Sequence, residues 1–334
     1  MSASLRPRSV AAPTLGALQS PILDRLEQVT QELHRIVMAD FPLISAVNAH
    51  LMLMKGKMFR PTLVLLCSMA EDRAEPRAIT LAAVIELVHL ATLVHDDSVD
   101  HSALRRGMPT VNSLFSHQVS VIMGDFLYSR AVVELVRLGD LEVLRVLADA
   151  TNAMTVGEMR QLTSVDALTF SEQDYEGLIR AKTASLLSAA CEIGALAGAA
   201  KYRRELATYG ERLGMAFQVA DDLLDYTSQE SATGKPCGLD LREHKVTLPL
   251  IAALRVMPSS ARQHVEVLFS EPEPSDKLIA RVIEIVAENG GFEYARRRGQ
   301  EYARAAEQAL ASLPGTSAVA SLRDAIAYAT DRSQ

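Results

Sequence analysis

The stretch from Ile79 to Asp100 limits the fold more than any other part of the sequence, because it reads as one long helix that is apolar nearly all round. A helix with no wet face must lie in the middle of the molecule, with other helices around it. Its longest apolar run, Ile79 to Val94, still carries Glu86 and His89 and is too short and too polar to be expected to span a bilayer, so no transmembrane segment is expected. Elsewhere the apolar residues recur at spacings of three and four. Ile22, Leu26, Val29 and Leu33 open a helix, and another follows Pro61, from Leu63 to Met69. Further helices are predicted over 113–137, 141–164, 172–198, 203–227, 245–255, 260–268, 276–288, 292–311 and 317–330. No segment alternates with strict period two between hairpin turns, and only 17 glycines and 13 prolines interrupt 334 residues. The breaks, such as Glu71 to Pro76, are short. The expectation is one all-α domain over residues 21–334, after a disordered terminus, residues 1–20, that shows no periodicity and no signal peptide.

Two segments then share one pattern of acids. Asp96-Asp97-Ser98-Val99-Asp100 and Asp221-Asp222-Leu223-Leu224-Asp225 each close an apolar helical run. Positions i and i+4 share a helix face about 6 Å apart along the axis, so Asp96 pairs with Asp100 and Asp221 with Asp225. Like charges at that spacing repel, and a cation relieves them. Magnesium suits carboxylate oxygens completed by phosphate oxygens and water. Solvated charge at a helix end is the competing explanation for either cluster alone.

The net charge of −7 argues against a nucleic-acid binder that works by neutralising phosphates, but a local basic cluster can still hold a diphosphate. Four such groupings accompany the aspartates. Lys57 and Arg60 open a helix, whose N-terminus offers free N–H groups to an anion. Arg105-Arg106 follows the first aspartate cluster, and guanidinium groups suit phosphate oxygens. Lys182-Thr183 sits among apolar residues of a helix, and Lys235 and Lys245 follow the second cluster. His89, on the buried helix before Asp96, would find a partner in a nearby diphosphate. Cys67, Cys191 and Cys237 make no CxxC pair and no metal spacing, as expected for unpaired thiols in a reducing, cytoplasmic setting.

In order along the chain, these residues resemble the trans-isoprenyl diphosphate synthases, or polyprenyl synthetases, and among them the long-chain octaprenyl and polyprenyl enzymes. The motifs are Gly56-Lys57-x-x-Arg60-Pro61, His95-Asp96-Asp97-x-x-Asp100, Arg105-Arg106-Gly107, Gly124-Asp125, Lys182-Thr183, Phe217-Gln218-x-x-Asp221-Asp222-x-x-Asp225, Gly234-Lys235 and Lys245-x-Thr247-x-Pro249. The family's usual Glu-Gly-Lys reads Glu243-His244-Lys245 here. The resemblance implies a bundle of roughly a dozen helices around a central cavity, of the isoprenoid synthase type. It implies a homodimer that condenses isopentenyl diphosphate with farnesyl or geranylgeranyl diphosphate. Lys57, Arg60, His89 and Arg106 would bind the isopentenyl diphosphate, and Arg105, Lys182, Lys235 and Lys245 the allylic one. Asp96, Asp100 and Asp221 would ligate Mg2+, three ions with substrate bound, with Asp97, Asp222 and Asp225 in support. Thr183 and Gln218 would set oxygens beside the allylic cation.

The product tail would run down the helix from Asp96, past Ala91 and Thr92, then Val88 and Leu87, then Val84. In the family, an aromatic residue near Ala91 or Thr92 stops growth early. Both are small here, so the expected product is longer than C20, in the C30–C50 range of quinone tails. The alternatives are a geranylgeranyl or farnesyl diphosphate synthase, a terpene cyclase, which would not need Lys57, Arg60, Arg105 and Arg106, and a non-catalytic subunit of a heteromeric synthase, which would usually lack one aspartate cluster.

Overall fold

The computed structural model describes residues 13–54, 56–163, 168–227 and 237–331, excepting the side chains of residues 162 and 163. In chain order the helices are α1 (Leu15–Gln19), α2 (Leu23–Val37), α3 (Pro42–Leu53), α4 (Phe59–Ser68), α5 (Arg77–Val99), α6 (Val111–Leu114), α7 (His117–Leu138), α8 (Leu141–Thr163), α9 (Glu172–Ile179), α10 (Ser185–Gly198), α11 (Arg203–Thr227), α12 (Leu239–Arg242), α13 (Leu248–Leu254), α14 (Ser259–Ser270), α15 (Asp276–Glu288), α16 (Gly291–Ala309) and α17 (Ser317–Thr330). Twelve of these have ten residues or more among the described residues, in keeping with the bundle of about a dozen expected. The fold is all-α. The only strands among the described residues are β1 (Leu104–Arg105) and β2 (Met108–Pro109), an antiparallel pair turning at Gly107, too short for any alternation to mark them.

Helix α5 stands at the centre, with α2, α4, α7 and α10 packed around it, and Leu81 through Val88 are buried without interruption. It runs from Arg77 to Val99, longer than the apolar run judged from sequence, and by length and composition it could cross a membrane. The apolar run ends at Val94 because His95, Asp96 and Asp97 are polar, but the helix continues through them as the reading from Ile79 to Asp100 expected, and it starts two residues earlier, at Arg77. Around it, neighbouring helices cover a surface that lipid would otherwise have to cover.

Two further expectations are corrected. Residues 15–20 are helical rather than disordered. Thr14 caps α1 by accepting from the Ala17 N–H, Leu18 and Ile22 are buried, and the Gln19 amide donates to the Lys57 carbonyl and the Thr62 hydroxyl, each at 3.0 Å. A helix of five residues is too short to show a period, and docking on α17 and α4 holds it. Residues 1–12 lie outside the described residues. The single helix expected over 172–198 runs unbroken from Glu172 to Gly198, but its middle, Arg180–Ala184, is a π turn that divides it into α9 and α10. Nothing in the sequence reading marked α3, whose apolar residues scatter around the helix; among them Val47 and Leu51 are buried and Leu43 and Leu53 exposed.

Helices α10 and α11 approach through glycine. A Cβ on Gly214 would stand 2.6 Å from the Ala184 Cα, inside the π turn, and one on Gly210 2.5 Å from the Leu187 carbonyl oxygen. This contact sets the side chains of the π turn against α11. Gly214→Ala is therefore expected to destabilise the protein by about 1–3 kcal/mol, or to push α11 off the turn, because backbone rather than a flexible side chain stands in the way. Denaturant unfolding of the variant checks this, and an unchanged midpoint would contradict it.

Candidate active site

The last turns of α5 end at the head of a cavity of about 730 Å3. Val88, Ala91 and Thr92 of α5 line one side, Tyr128 of α7 and Ala148, Thr151, Asn152 and Met154 of α8 the other, and Asp96, Asp100, Lys182 and Thr183 its upper part. The lining is mostly apolar below the aspartates, with hydroxyls at Tyr128, Thr151 and Thr155. Ala91 is 3% exposed, so a larger side chain there enters the cavity rather than solvent.

Asp96 lies in the last turn of α5 and Asp100 caps it. The Asp96 carboxyl is pushed up to about 6, by burial first and by the nearby Glu158 and Asp100 carboxylates, while Lys182 and Arg105 oppose the shift. Asp97 points away: it is 5% exposed and accepts the Arg105 Nε–H on both oxygens at 2.8 Å. Crowded acids made of oxygen donors alone fit a hard divalent cation. Among the described residues, no three His, Cys, Asp or Glu side chains already converge on a metal-sized site. Phosphate oxygens and water would have to complete the shell, as magnesium favours.

The π turn links the two aspartate clusters. Lys182 Nζ is 2.7 Å from Glu158 and 3.0 Å from the Gln161 side-chain oxygen on α8, and it acts on Asp96. Its neighbour Thr183 donates to the Gln218 Oε1 at 2.8 Å, and Gln218 Nε2 donates to Asp222 Oδ1 at 2.7 Å. Asp222 also accepts from the Tyr175 hydroxyl at 2.6 Å. Burial first, then the Asp240 and Asp221 carboxylates, push the Asp222 carboxyl up to about 7, against the pull of those two hydrogen bonds. π turns within helices are often found at functional sites, and this one turns adjacent residues toward different clusters.

Beyond the second cluster, Asp225 caps α12 through both oxygens, accepting from the Leu239 and Asp240 N–H groups at 3.2 and 3.1 Å. It therefore shapes the loop instead of facing the first cluster. Asp240 lies close to Asp225, Lys245 and Asp221, its carboxyl pushed up to about 7 by burial and then by Asp225. Lys245 is 2.5 Å from Glu243 and within electrostatic reach of both Asp240 and Asp100, so it too bridges the clusters. His244, where the family's glycine stands, keeps a glycine-like left-handed backbone at φ 55°. Its ring rests 5.7 Å from Phe269 and reaches the Glu271 carbonyl at 2.9 Å, which offsets the strain. Lys235 lies outside the described residues.

A second basic group gathers about two turns before Asp96 along α5, on the same cavity. Arg60, at the start of α4, lines the cavity with His89, and Arg106 donates to the Met54 carbonyl at 3.2 Å. Beneath both arginines lies Glu86, 5% exposed, its carboxyl raised by burial against their pull. A Cβ on Gly56 would stand 3.1 Å from Arg106 Nη1 and 3.2 Å from Glu86 Oε1, so a side chain there would crowd both groups. Lys57 is not drawn into this group; its ammonium lies over the Tyr328 ring at 5.8 Å. Burial, then Arg60, Arg106 and Arg105, hold the His89 imidazole well below its usual value. It is neutral near pH 7. Below about pH 6.5 the unfolded chain takes up a proton that the folded site refuses, so this group makes stability fall as the solution is acidified. His89→Gln is expected to flatten that acid-side slope, read from urea unfolding between about pH 5 and 7; an unaltered slope would contradict it.

The sequence reading missed Glu86, Tyr128, Glu158, Tyr175 and Asp240. Asp240, five residues before Lys245, carried a usable signal as a further acid on the basic loop. The others act from helices whose register against the site is a matter of packing.

The polyprenyl synthetase family profile matches residues 41–286. The chain is 38% identical to an octaprenyl diphosphate synthase of Escherichia coli over 280 residues, 83% of this chain and 86% of that one. Among solved structures it is similar to a decaprenyl diphosphate synthase of Rhodobacter capsulatus, with a TM-score of 0.90 and 33% identity, covering 96% of this chain and 100% of that one. A polyprenyl synthase of Caulobacter crescentus, solved with calcium and isoprenyl diphosphate, also superposes with a TM-score of 0.90, at 32% identity over 97% of this chain and 99% of the other.

Proposed function

The chain belongs to the polyprenyl synthetase family, and on that premise we propose how its residues divide the work. It is a trans-prenyltransferase that condenses isopentenyl diphosphate head-to-tail with an allylic diphosphate and makes an all-trans polyprenyl diphosphate longer than C20. Within that class we place the product at C30–C50 and the starter as farnesyl or geranylgeranyl diphosphate. The small side chains of Ala91 and Thr92, which leave the cavity below Asp96 open, support this length.

Asp96, Asp100 and Asp221 would hold the Mg2+ ions, three when substrate is bound, with Asp97 and Asp222 steadying neighbouring groups. When bound, the ions act as Lewis acids on the diphosphate that leaves the allylic carbon. Arg105, Lys182, Lys235 and Lys245 bind that diphosphate. Lys182 and Lys245 now rest on Glu158 and Glu243, and they exchange these carboxylates for phosphate oxygens of higher charge. Arg60, Arg106 and His89, with Lys57 reaching in from Tyr328, hold isopentenyl diphosphate beside the allylic diphosphate. The Thr183 and Gln218 oxygens face the allylic carbon as positive charge develops on it, and the apolar cavity below keeps water away. The isopentenyl double bond attacks that carbon, and loss of a proton closes the step. His89 is a poor base because its surroundings disfavour the protonated ring, so the departed diphosphate is the better acceptor.

The observation that carries this reading is the π turn, where Lys182 answers to the first aspartate cluster and Thr183, through Gln218, to the second, at the head of a mostly apolar cavity. A homodimer is supported by the exposed apolar stripe Ile122, Val133 and Val136 along α7, which a second copy would cover. A cytoplasmic setting is supported by three unpaired cysteines. The test is to incubate the purified chain with labelled isopentenyl diphosphate, Mg2+ and each allylic starter, and to chromatograph the products. Prenyl chains longer than C20 are expected, and none after chelation of the metal. No product from the chain alone would favour a non-catalytic subunit, and a C15 or C20 product would overturn the length.

A further inference from the structure

One buried side chain joined to this site lies outside every motif discussed above. Tyr175, on α9, is 2% exposed and spends its hydroxyl on Asp222, which is 5% exposed. Asp222 accepts two hydrogen bonds, from Tyr175 on Oδ2 and from the Gln218 amide on Oδ1. A side-chain amide can turn over and exchange its oxygen and nitrogen at little steric cost, so its direction depends on its partners. The Tyr175 bond on Oδ2 holds the carboxylate with Oδ1 aimed at Gln218, and because an ionised carboxylate only accepts, the Gln218 NH2 must face it. The Gln218 carbonyl then points the opposite way, to Thr183, whose hydroxyl donates to it at 2.8 Å.

We propose that Tyr175 is a positioning residue: through Asp222 it fixes the direction of the Gln218 amide, so that the carbonyl and not the NH2 faces the reacting end of the allylic substrate. The inference rests on the proposed role of Gln218 beside the allylic carbon. Its physical content is one of sign. The amide oxygen is the negative end of a dipole and stabilises positive charge developing nearby, whereas the NH2 end opposes it. A turned amide therefore slows the chemical step and leaves the diphosphate contacts of Arg60, Arg105, Arg106 and Lys182 in place. Tyr175 also ties α9 to α11 just ahead of the π turn, so the group that aims Gln218 is anchored on the helix that leads into the turn carrying Thr183.

Tyr175→Phe removes only the hydroxyl. It is expected to lower kcat by about tenfold to a hundredfold, the range seen when a partner that orients an active-site ligand is lost. KM for both diphosphates should stay within about twofold, because lost transition-state contacts appear in kcat while uniform binding appears in KM. Gln218→Ala and the double variant complete a cycle. If Tyr175 acts through Gln218, the double variant is no slower than Gln218→Ala alone. Additive losses, or a folded Tyr175→Phe with unchanged kcat, overturn the proposal. If Gln218→Ala itself keeps full kcat, the assignment of Gln218 has failed, and the relay with it. Should Tyr175→Phe fold poorly, Asp222→Asn decides. Its amide holds the Tyr175 hydroxyl on its oxygen and presents NH2 to Gln218, which turns the glutamine over. A fall in kcat at constant KM is then expected, and an unchanged kcat overturns the relay.

Discussion

Asp96→Asn and Asp221→Asn are each expected to lower kcat by about a hundredfold to a thousandfold, the scale on which one group stabilising transition-state charge is felt. Both leave the helix ends intact but weaken the carboxylate field that draws Mg2+ to the leaving diphosphate. For Asp96 a second effect of opposite sign should accompany the loss. Its carboxylate is partly desolvated and crowded by Glu158 and Asp100 in the substrate-free protein. Neutralising it relieves that repulsion, so Asp96→Asn should melt at a higher temperature than the parent. Steady-state kinetics at saturating Mg2+ and a thermal melt measure the two together. A variant that keeps more than about a tenth of the activity would remove Asp96 from the metal set. A lowered melting temperature would mean that the acid serves the fold instead.

Ala91→Phe is expected to convert a long-chain product into a short one. Ala91 sits five residues before Asp96, about 7.5 Å along the helix, so it is below the diphosphate site rather than in it. It lines the cavity opposite Tyr128, Thr151 and Asn152. A phenyl ring placed there closes the path that the tail follows, and repacking α5 to make room would disturb its contacts with α2, α4, α7 and α10. The first condensation should proceed at near the parent rate while later ones stop. The measurement is the chain-length distribution from labelled isopentenyl diphosphate, compared with the rate of the first addition. An unchanged distribution would move the floor of the cavity to another helix, with Tyr128, whose hydroxyl is 3.4 Å from the Thr151 hydroxyl, the next residue to replace.

Much of the molecule was legible in advance, and the reason differs from part to part. Helices α11, α15 and α17 fall on the expected ranges because each has a continuous apolar face of helical period. The two aspartate clusters and Lys182-Thr183 were legible because their chemistry is local: acids one helical turn apart, and a lysine among apolar neighbours. Arg60 and His89 were found for similar reasons, and the cavity brings them together. The π turn was not legible, because one extra residue in a helical turn leaves the apolar pattern on either side nearly unchanged. Neither was the early helix at Leu15–Gln19, held by contacts to residues more than forty positions away.

The amino-acid order by itself determined the all-helical class, the burial of α5 and the inventory of acids and bases that a diphosphate reaction needs. Periodicity and charge act between near neighbours in the chain, so both can be read along it. Only tertiary packing decided how that inventory is used: that Asp225 caps a helix and draws in Asp240, that Asp97 holds Arg105, that Lys57 leans on Tyr328, and that Tyr175 reaches Asp222. Those pairings join residues on different elements. They depend on how closely glycine-lined helices approach and which way each turns, distances that no local pattern in the chain encodes.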